Sequence, residues 1–437
     1  MRITTTRRKV AALATATALT LSLAACGSSS SGAATGNDKN AGGKVSGHVT
    51  LLTPIFEGSD GKALLEGTLL PEFYKKYPGV TVSVDYTTYA KLNTKLTTAV
   101  ASGLIPDVMM MGVGWVENFA NHGVLANLSK VGITPASLKG KYSDKVVGAG
   151  EWKGDVYALP IMLDTRFGVA RKDLLAAAGF KHPPTTVQEM VDMSKALTVR
   201  APDGSLTRAG FDEQSLDPRQ VFETMFFSAG GDLFTKDITA PTFSSAAGVS
   251  TLQLMTDLVR THKVEDVGFS STTATVNPLI SGRAAMGIAH NNLWTQAQEA
   301  DPKVLSQLEP FLIPGQSPSM FFGGTLATVA KTSKSPAAAQ ALLEFLASPG
   351  PALAANKQRG NIPALNSLLD SDYVKTNALV QFAMKNLDVA KHEGGPAQWL
   401  QIRSDFTPAI QSALLGQKTP QQALDGLADS AKTAMTR

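Results

Sequence analysis

Short apolar runs alternate with helix-like patterns through most of this chain, and that alternation limits the fold more than any other feature. Residues 48–52 (HVTLL) and 107–111 (DVMMM) are typical of buried strands, and residues 80–86 alternate as in a half-buried strand. Between them, apolar residues recur every four positions over 92–100, as on one face of a helix. Strands separated by helices predict an α/β fold with a mainly parallel sheet and helices on both faces.

Signals at helix ends support this interpretation. Residues 186–189 (TVQE) fit a capping box, and residues 419–422 (TPQQ) place an N-cap, a proline and a glutamine before an apolar run. Pro71 lies inside the apolar pattern of residues 65–77 and predicts a kink or a late helix start. No internal repeat of roughly 20–50 residues is evident, so we expect one bilobed α/β body and not a solenoid or a propeller.

Residues 1–25 have the features of a secretory signal peptide. Arg2, Arg7, Arg8 and Lys9 precede an uncharged apolar stretch, and the segment has no acidic residue. These four side chains account for the whole excess of 40 basic over 36 acidic residues, so the remainder is formally neutral at 36 against 36. The adjacent arginines leave open whether export follows the general or the twin-arginine route.

The single cysteine of the chain, Cys26, ends the apolar stretch. Residues 23–27 (LAACG) resemble a bacterial lipobox, which implies that Cys26 becomes the lipid-modified first residue of the mature protein. An ordinary secretory peptide is the alternative. Gly, Ser, Ala and Asn dominate residues 26–44 and predict a flexible tether. We therefore expect an extracytoplasmic body that a lipid anchors to the outer face of the cell membrane.

The sequence lacks the motifs of several common enzyme classes. One cysteine excludes an intramolecular disulfide and multi-cysteine zinc or iron–sulfur sites. Phosphate-loop, GxGxxG, GxSxG and HExxH patterns are missing, as are basic patches interleaved with aromatic residues. We therefore expect no catalytic residue, metal, cofactor or nucleic-acid partner. Two carboxylates brought together by folding could still hydrolyse a glycoside, so a secreted carbohydrate-active enzyme stays open.

A series of motifs resembles the family 1 extracellular solute-binding proteins, the maltose-binding-protein-like receptors of ABC importers. FYKKYPGVTV resembles the family's F-x-K-x-Y-P-G-I-x-V, ASGLIPDV its A-S-G-x-x-P-D-V, and WKGDVYALP its W-x-G-K-x-Y-A-L-P. PTTVQEM and GRAAMGI are similar to P-x-T-W-x-E-L and G-x-A-A-M-x-I. These motifs occupy 73–82, 101–108, 152–160, 184–190 and 282–288, with further matches at 123–128, 322–324, 341–346 and 416–424.

This resemblance implies a two-lobed periplasmic-binding-protein-like fold with a ligand cleft and hinge crossovers between the lobes. Residues 45–162 and 314–357 would form lobe 1, and residues 163–313 and 358–437 would form lobe 2. The implied function is to deliver a mono- or oligosaccharide to the permease subunits of an ABC importer by hinged closure, as a monomer and without catalysis. A non-sugar solute, such as a glycerophosphodiester, a polyamine or a metal, is the alternative for the same fold.

The resemblance also implies which residues contact the ligand. A sugar is held by aromatic faces together with carboxylates, amides and arginines that pair with its hydroxyls. The candidate ligand-binding residues are Phe56, Glu57, Asp107, Trp115, Asp164, Arg166, Gln220, Phe222, Asn291, Asn292, Trp294, Phe321, Gly323, Gly324, Trp399 and Arg403.

Several of these candidates have a structural alternative. Glu57 fits a solvated loop acid equally well, and Phe222 fits the hydrophobic core equally well. Asp107 also fits a residue that shapes the entrance of a strand. Asp164 and Arg166 would otherwise form a surface ion pair, which contributes little to stability.

Overall fold

A central sheet of eleven strands organises residues 44–270 and 276–436, which are the residues described in this computed structural model. A separate two-stranded hairpin accompanies it. The strands are β1 (Ser46–Thr53), β2 (Gly79–Tyr86), β3 (Val108–Gly112), β4 (Glu151–Trp152), β5 (Asp155–Val156), β6 (Ala158–Arg171), β7 (Val199–Arg200), β8 (Leu206–Asp212), β9 (Ala284–His290), β10 (Leu308–Phe311), β11 (Phe321–Val329), β12 (Ile362–Pro363) and β13 (Lys391–His392).

Helices surround the sheet. They are α1 (Gly58–Leu64), α2 (Leu70–Lys76), α3 (Tyr89–Ser102), α4 (Val116–Asn121), α5 (Pro135–Leu138), α6 (Asp144–Gly148), α7 (Lys172–Ala177), α8 (Val187–Leu197), α9 (Pro218–Ser228), α10 (Ala246–Arg260), α11 (Pro278–Ser281), α12 (Leu293–Ala300), α13 (Pro336–Leu346), α14 (Pro349–Arg359), α15 (Asp372–Thr376), α16 (Ala378–Lys385), α17 (Trp399–Ile402), α18 (Phe406–Leu414) and α19 (Pro420–Met435). Within these residues, no helix is both long and apolar enough to span a membrane.

The predicted signal segment, Cys26 and all of the predicted tether except residue 44 lie outside the described residues.

The sheet is mixed, so the prediction of a mainly parallel sheet is wrong. Strand β1 pairs in parallel with β2 and β3, and β8 pairs in parallel with β9, as strand–helix–strand units require. Between these two groups, the strand direction reverses at each step. Strand β11 is antiparallel to β3 and to β6, and β6 is antiparallel to β9. The local alternation of strands and helices does not encode the direction of these central strands.

Strand β6 belongs to both halves of the sheet. Its 14 residues span about 45 Å at about 3.3 Å each. Residues 158–166 pair with β11, whereas residues 166–170 pair with β9 and residues 168–171 pair with β10. Arg166 is the residue at which the partner changes, because it faces both Phe321 and His290. The two halves of the sheet are therefore joined by continuous backbone.

Two clusters of buried apolar side chains cover this sheet. The first surrounds β1, β3 and β11 and continues past β6 through residues such as Phe167 and Leu308. The second packs α9, α10, α18 and α19 against the opposite face of the later strands, around Phe211 and Met286. Adjacent residues of β6, Val169 and Ala170, belong to different clusters because successive strand side chains point to opposite faces.

The helix signals read from the sequence are largely confirmed. Thr419 and Gln422 form a complete capping box at α19, whereas Thr186 caps α8 by accepting from the N–H of Glu189. Pro71 lies in the first turn of α2, directly after a π-helical segment, residues 65–69, that joins α1 to α2. The wider π turn leads into the proline, which has no N–H to donate to an α-helical ladder.

We expect Gly168→Ala to destabilise the protein by about 1–3 kcal/mol, because the added methyl group has no room in the packed core and would strain its neighbours. A Cβ at Gly168 of β6 would lie 2.4 Å from Cζ of Phe311 on the neighbouring β10. Urea unfolding would measure the loss. Gly426→Ala in α19 is the control: nothing lies within 4 Å of its added Cβ, so we expect a gain of about 0.5–1 kcal/mol. Equal stability of the two variants would contradict the close contact between Gly168 and the Phe311 ring.

Candidate functional site

A cavity of about 330 Å³ opens where β6 changes its sheet partner from β11 to β9. Side chains from both halves of the sheet and from the surrounding loops line it. The lining residues are Tyr89, Gly112, Val113, Trp115, Asp164, Arg166, Asp217, Arg219, Gln220, His290, Asn292, Phe321, Gly323, Gly324, Arg359, Asn361, Glu393 and Arg403.

Asp164 and Arg166 form the charged centre of this cavity. They are two residues apart on β6, so their side chains point to the same face of the sheet. Nη1 of Arg166 donates to Oδ1 of Asp164, and Nε donates to Oε1 of Gln220 at 3.0 Å. Burial alone would raise the pKa of Asp164, but Arg166 and other nearby positive groups lower it below its usual range. Asp164 is therefore an ionised acceptor in a largely buried position.

His290 adds a neutral hydrogen-bond donor. Its Nδ1 accepts from the backbone N–H of Asn292 at 2.9 Å, which leaves the proton on Nε2. Nε2 lies 3.9 Å from Oδ1 of Asp164. Burial, followed by the charge of Arg166, lowers the pKa of His290 to about 3. The imidazole is therefore uncharged at neutral pH and can donate to a ligand oxygen.

Two glycines keep the β11 side of the cavity open. Gly323 faces Asp164 across the β11–β6 ladder, and a Cβ there would lie 2.9 Å from the Asp164 carboxylate. Gly324 has φ +146°, and a Cβ on it would lie 2.3 Å from the carbonyl oxygen of Met162. Any larger residue at either position would displace the carboxylate or the strand.

Arginine side chains lie over two aromatic rings of the site. The guanidinium of Arg166 lies 5.4 Å from the centre of the Phe321 ring, and that of Arg403 lies 5.5 Å from the Trp115 ring. Both distances are within the range of cation–π attraction. Trp115 is only 3% exposed. The arginines, more than the ring faces, are thus presented to the cavity.

The floor of the cavity is a buried ion cluster that the sequence analysis missed. Nη1 of Arg219 donates to Oε2 of Glu223 at 2.7 Å and also to Oε2 of Glu393. Oε1 of Glu393 lies 3.3 Å from Nη2 of Arg403. Burial raises the pKa of Glu223, although Arg219 opposes that shift. The i,i+4 spacing of Arg219 and Glu223 on α9 could have indicated their ion pair. The sequence gives no such signal for Glu393, which is 174 residues away from Arg219.

The structure brings nine predicted residues to the cavity: Trp115, Asp164, Arg166, Gln220, Asn292, Phe321, Gly323, Gly324 and Arg403. Their contact with a ligand stays a prediction. The lining residues outside the predicted set are Tyr89, Gly112, Val113, Asp217, Arg219, His290, Arg359, Asn361 and Glu393.

Three predicted aromatic residues lie in the hydrophobic core, away from the cavity. Phe56 is 1% exposed, and Phe222 and Trp399 are fully buried. Trp399 packs edge-on against Phe406 with ring centres 5.7 Å apart. A fourth, Trp294, is partly buried against the first core cluster. Apolar periodicity cannot separate a core ring from a ring in a cleft.

Three predicted polar residues have structural partners. Asp107 accepts from N and Oγ1 of Thr50, each at 2.8 Å, and so fixes the entrance of β3. Asn291 is fully buried; its Oδ1 accepts from the Thr165 N–H at 2.8 Å and its Nδ2 donates to the Gly360 carbonyl at 2.7 Å. Glu57 lies outside the lining, 3.9 Å from Nη1 of Arg359.

Among the described residues, no group of three or more His, Cys, Asp or Glu side chains is arranged to hold a metal ion.

Known proteins resemble this chain over most of its length. A Brucella abortus protein described as a binding protein is 22% identical over 367 residues, which cover 84% of this chain and 88% of that protein. The diacetylchitobiose binding protein DasA of Streptomyces coelicolor is 25% identical over 416 residues, covering 90% and 92%.

Solved structures share the fold. The GacH receptor of Streptomyces glaucescens, determined unliganded and with acarbose, aligns with a TM-score of 0.76 at 23% identity and covers 90% of this chain and 99% of its own. The two-lobed α/β fold expected from the sequence is therefore confirmed. The model of the bacterial extracellular solute-binding protein family matches residues 59–352, and the chain belongs to that family.

Proposed function

We propose that this protein captures a mono- or oligosaccharide outside the cytoplasm and delivers it to the permease subunits of an ABC importer. The cavity on β6 carries the proposal, because it places ionised, amide and imidazole groups around one small volume. About 330 Å³ lies at the small end of the range for small-molecule sites, which favours a short ligand.

The hydrogen-bonding groups of the cavity suit a sugar. Each hydroxyl of a sugar both donates and accepts, so its site needs both kinds of partner. Asp164 offers acceptors, Arg166 and neutral His290 offer donors, and the amide of Asn292 offers both. Hydrogen bonds to charged groups contribute about 1.5–3 kcal/mol each, roughly twice the contribution of neutral ones.

The charges of the site favour an uncharged solute. Four arginines line the cavity, together with the acids Asp164, Asp217 and Glu393. Glu57 and Glu223, both outside the lining, pair with Arg359 and Arg219, so each of the four arginines has an acidic partner. A charged ligand would leave this balance uncompensated in a site with little water, which is costly.

The relatives support a saccharide. DasA is described as binding diacetylchitobiose, and the GacH receptor structure includes a complex with acarbose. Two alternatives remain: the cleft binds a non-sugar solute, or the protein is a secreted carbohydrate-active enzyme. The ligand test below distinguishes both from a sugar receptor.

Ligand capture would close two lobes about the cavity. We assign residues 45–162 and 314–357 to lobe 1, and residues 163–313 and 358–437 to lobe 2. Trp115 and Gly112 lie on the first, and Arg219, Gln220 and Arg403 on the second. A ligand that touches both lobes binds the closed form more tightly and so shifts the population toward it.

The export features extend the proposal to the site of action. Cys26 would carry a lipid, and residues 26–44 would tether the monomeric body to the outer face of the cell membrane. A tethered receptor stays close to its permease, which raises the local concentration of loaded protein.

A titration of the purified protein against neutral saccharides tests the function, and we expect stoichiometric binding with a change in Trp fluorescence. Diacetylchitobiose, maltose and maltotriose are suitable first ligands. Turnover of an oligosaccharide by catalytic amounts of protein would indicate an enzyme. Binding only of a glycerophosphodiester, a polyamine or a metal would reject the sugar and retain the receptor.

We expect Asp164→Asn to weaken saccharide binding by about tenfold to a hundredfold, because it replaces an ionised acceptor in a dry site. Calorimetric titration would measure the change. Asp173→Asn is a matched control, since Asp173 pairs with Arg171 two residues away at the end of β6, outside the cavity. Similar affinity losses in both variants would argue against a role for Asp164 in the site.

We expect Cys26→Ser to release the protein from the membrane into the soluble fraction, because the thiol is the only group in the chain that a lipobox would acylate. Cell fractionation and intact-mass measurement of the mature N-terminus provide the readouts. An unmodified N-terminus at another residue in the wild-type protein would reject the lipid anchor.

A further inference from the structure

Glu117 places a carboxyl group directly behind the cavity wall. It lies on α4, is 7% exposed, and its Oε2 has no hydrogen-bond partner among the described residues. The segment 393–395 packs closely against it: a Cβ added to Gly394 would lie 2.9 Å from Oε1 of Glu117. On the same helix, Asn118 donates to the carbonyl of Ala397 at 2.7 Å. Helix α4 and the chain after β13 thus enclose an acid that has backbone hydrogen bonds, one of them from Gly395, but no ion pair among the described residues.

The cluster around this contact contains more acids than bases. Arg219 pairs with Asp217, Glu223 and Glu393, and Arg403 pairs with Glu393. Glu117 is the fourth acid, and it forms no ion pair with any described residue. Four ionised carboxylates and two guanidinium groups would leave the cluster with two negative charges, and Glu117 is the one carboxylate with no cation beside it. An uncompensated buried charge is costly, so the geometry favours the protonated state.

The other titratable groups near α4 are Glu151 on β4, Lys153 in the turn that follows, His122 after α4, and Lys391 and His392 on β13. None of these groups forms an ion pair with Glu117. Among charged side chains, Glu393 is the one that acts on Glu117. Burial first, and then the charge of Glu393, raise the pKa of Glu117 to about 7.

We propose that Glu117 is a positioning residue of the ligand site, and that it takes up one proton from solvent when the cleft closes. As a neutral acid it supports the segment that holds Glu393 at the cavity. When the lobes separate, water reaches the carboxyl group and it ionises. The inference rests on the proposed function, because it requires that ligand capture closes the cleft.

The sign of the pH dependence follows from linkage. The carboxyl has an ordinary pKa of 4.5 when hydrated and about 7 when enclosed. Between these values the closed form carries a proton that the open form lacks, so ligand affinity falls as pH rises, by up to about tenfold per pH unit. Below the window both forms are protonated, and above it both are ionised. His290, whose pKa is lowered by enclosure, shifts affinity in the opposite direction.

The experiment compares wild-type protein with Glu117→Gln, which is neutral at every pH and keeps the shape of the side chain. Calorimetry with diacetylchitobiose and maltose measures Kd from pH 5 to pH 8. The ratio of wild-type to variant Kd cancels the contributions of His290 and other groups. We expect this ratio to rise at least tenfold between pH 5 and pH 7. Glu265→Gln is the control, since Glu265 is a fully buried acid outside the cavity whose pKa burial also raises; we expect a flat ratio for it.

A second readout needs no ligand. Small-angle scattering of the ligand-free protein should show a larger radius of gyration at pH 8 than at pH 5 in the wild type, and no such change in Glu117→Gln. If neither saccharide binds, the proposed sugar function fails and the scattering result alone decides the inference. If a saccharide binds with a pH-independent ratio, the inference is overturned and the proposed function stands. A pH effect that persists undiminished in Glu117→Gln would assign the proton to Glu223 and also overturn it.

Discussion

The continuity of β6 is the constraint on which the rest of this structure depends. One extended strand of 14 residues pairs with β11 along its first part and with β9 and β10 along its second. Because its backbone is hydrogen-bonded in both halves, the residues at the change of partner are fixed more firmly than loop residues would be. Asp164 and Arg166 sit at that point. In the proposed receptor, lobe closure would twist or bend β6 beside these two side chains, because the strand runs unbroken through them.

The site shows how a protein can keep charges in a dry cavity. Arg166 is bound by Asp164 and Gln220, and Arg219 by Glu223 and Glu393, so each guanidinium retains donors for a ligand while its charge is balanced. Desolvating unpaired ions would cost several kcal/mol each. A receptor for neutral solutes gains from this arrangement because strong, charge-assisted hydrogen bonds are available without net charge. Glu117 is the exception, an acid with no cation, and a bound proton would remove its charge.

The sequence was sufficient for the α/β class, the family and much of the cavity, because these depend on local patterns. Asp164 and Arg166 follow a recognisable motif at a strand position, and the structure places both in the cavity. The antiparallel direction of the central strands was not predictable, since the direction in which a strand enters a sheet depends on distant segments. The same holds for Glu393, which reaches Arg219 from 174 residues away. The resemblance implied Phe222 and Trp399 as ligand contacts, but both rings are fully buried in the core. A single sequence does not distinguish an aromatic residue of a core from one in a binding cleft.

Asn291 sits between two cavity residues, His290 and the lining residue Asn292, yet its amide is turned away and joins β6 to the end of α14 through Thr165 and Gly360. The backbone that presents both neighbours is fixed by this one side chain. A mutational survey of the cleft scored only by ligand capture would therefore rank position 291 with the true contacts. Scoring the same library for folded protein as well would separate them, because loss at 291 would appear in both screens.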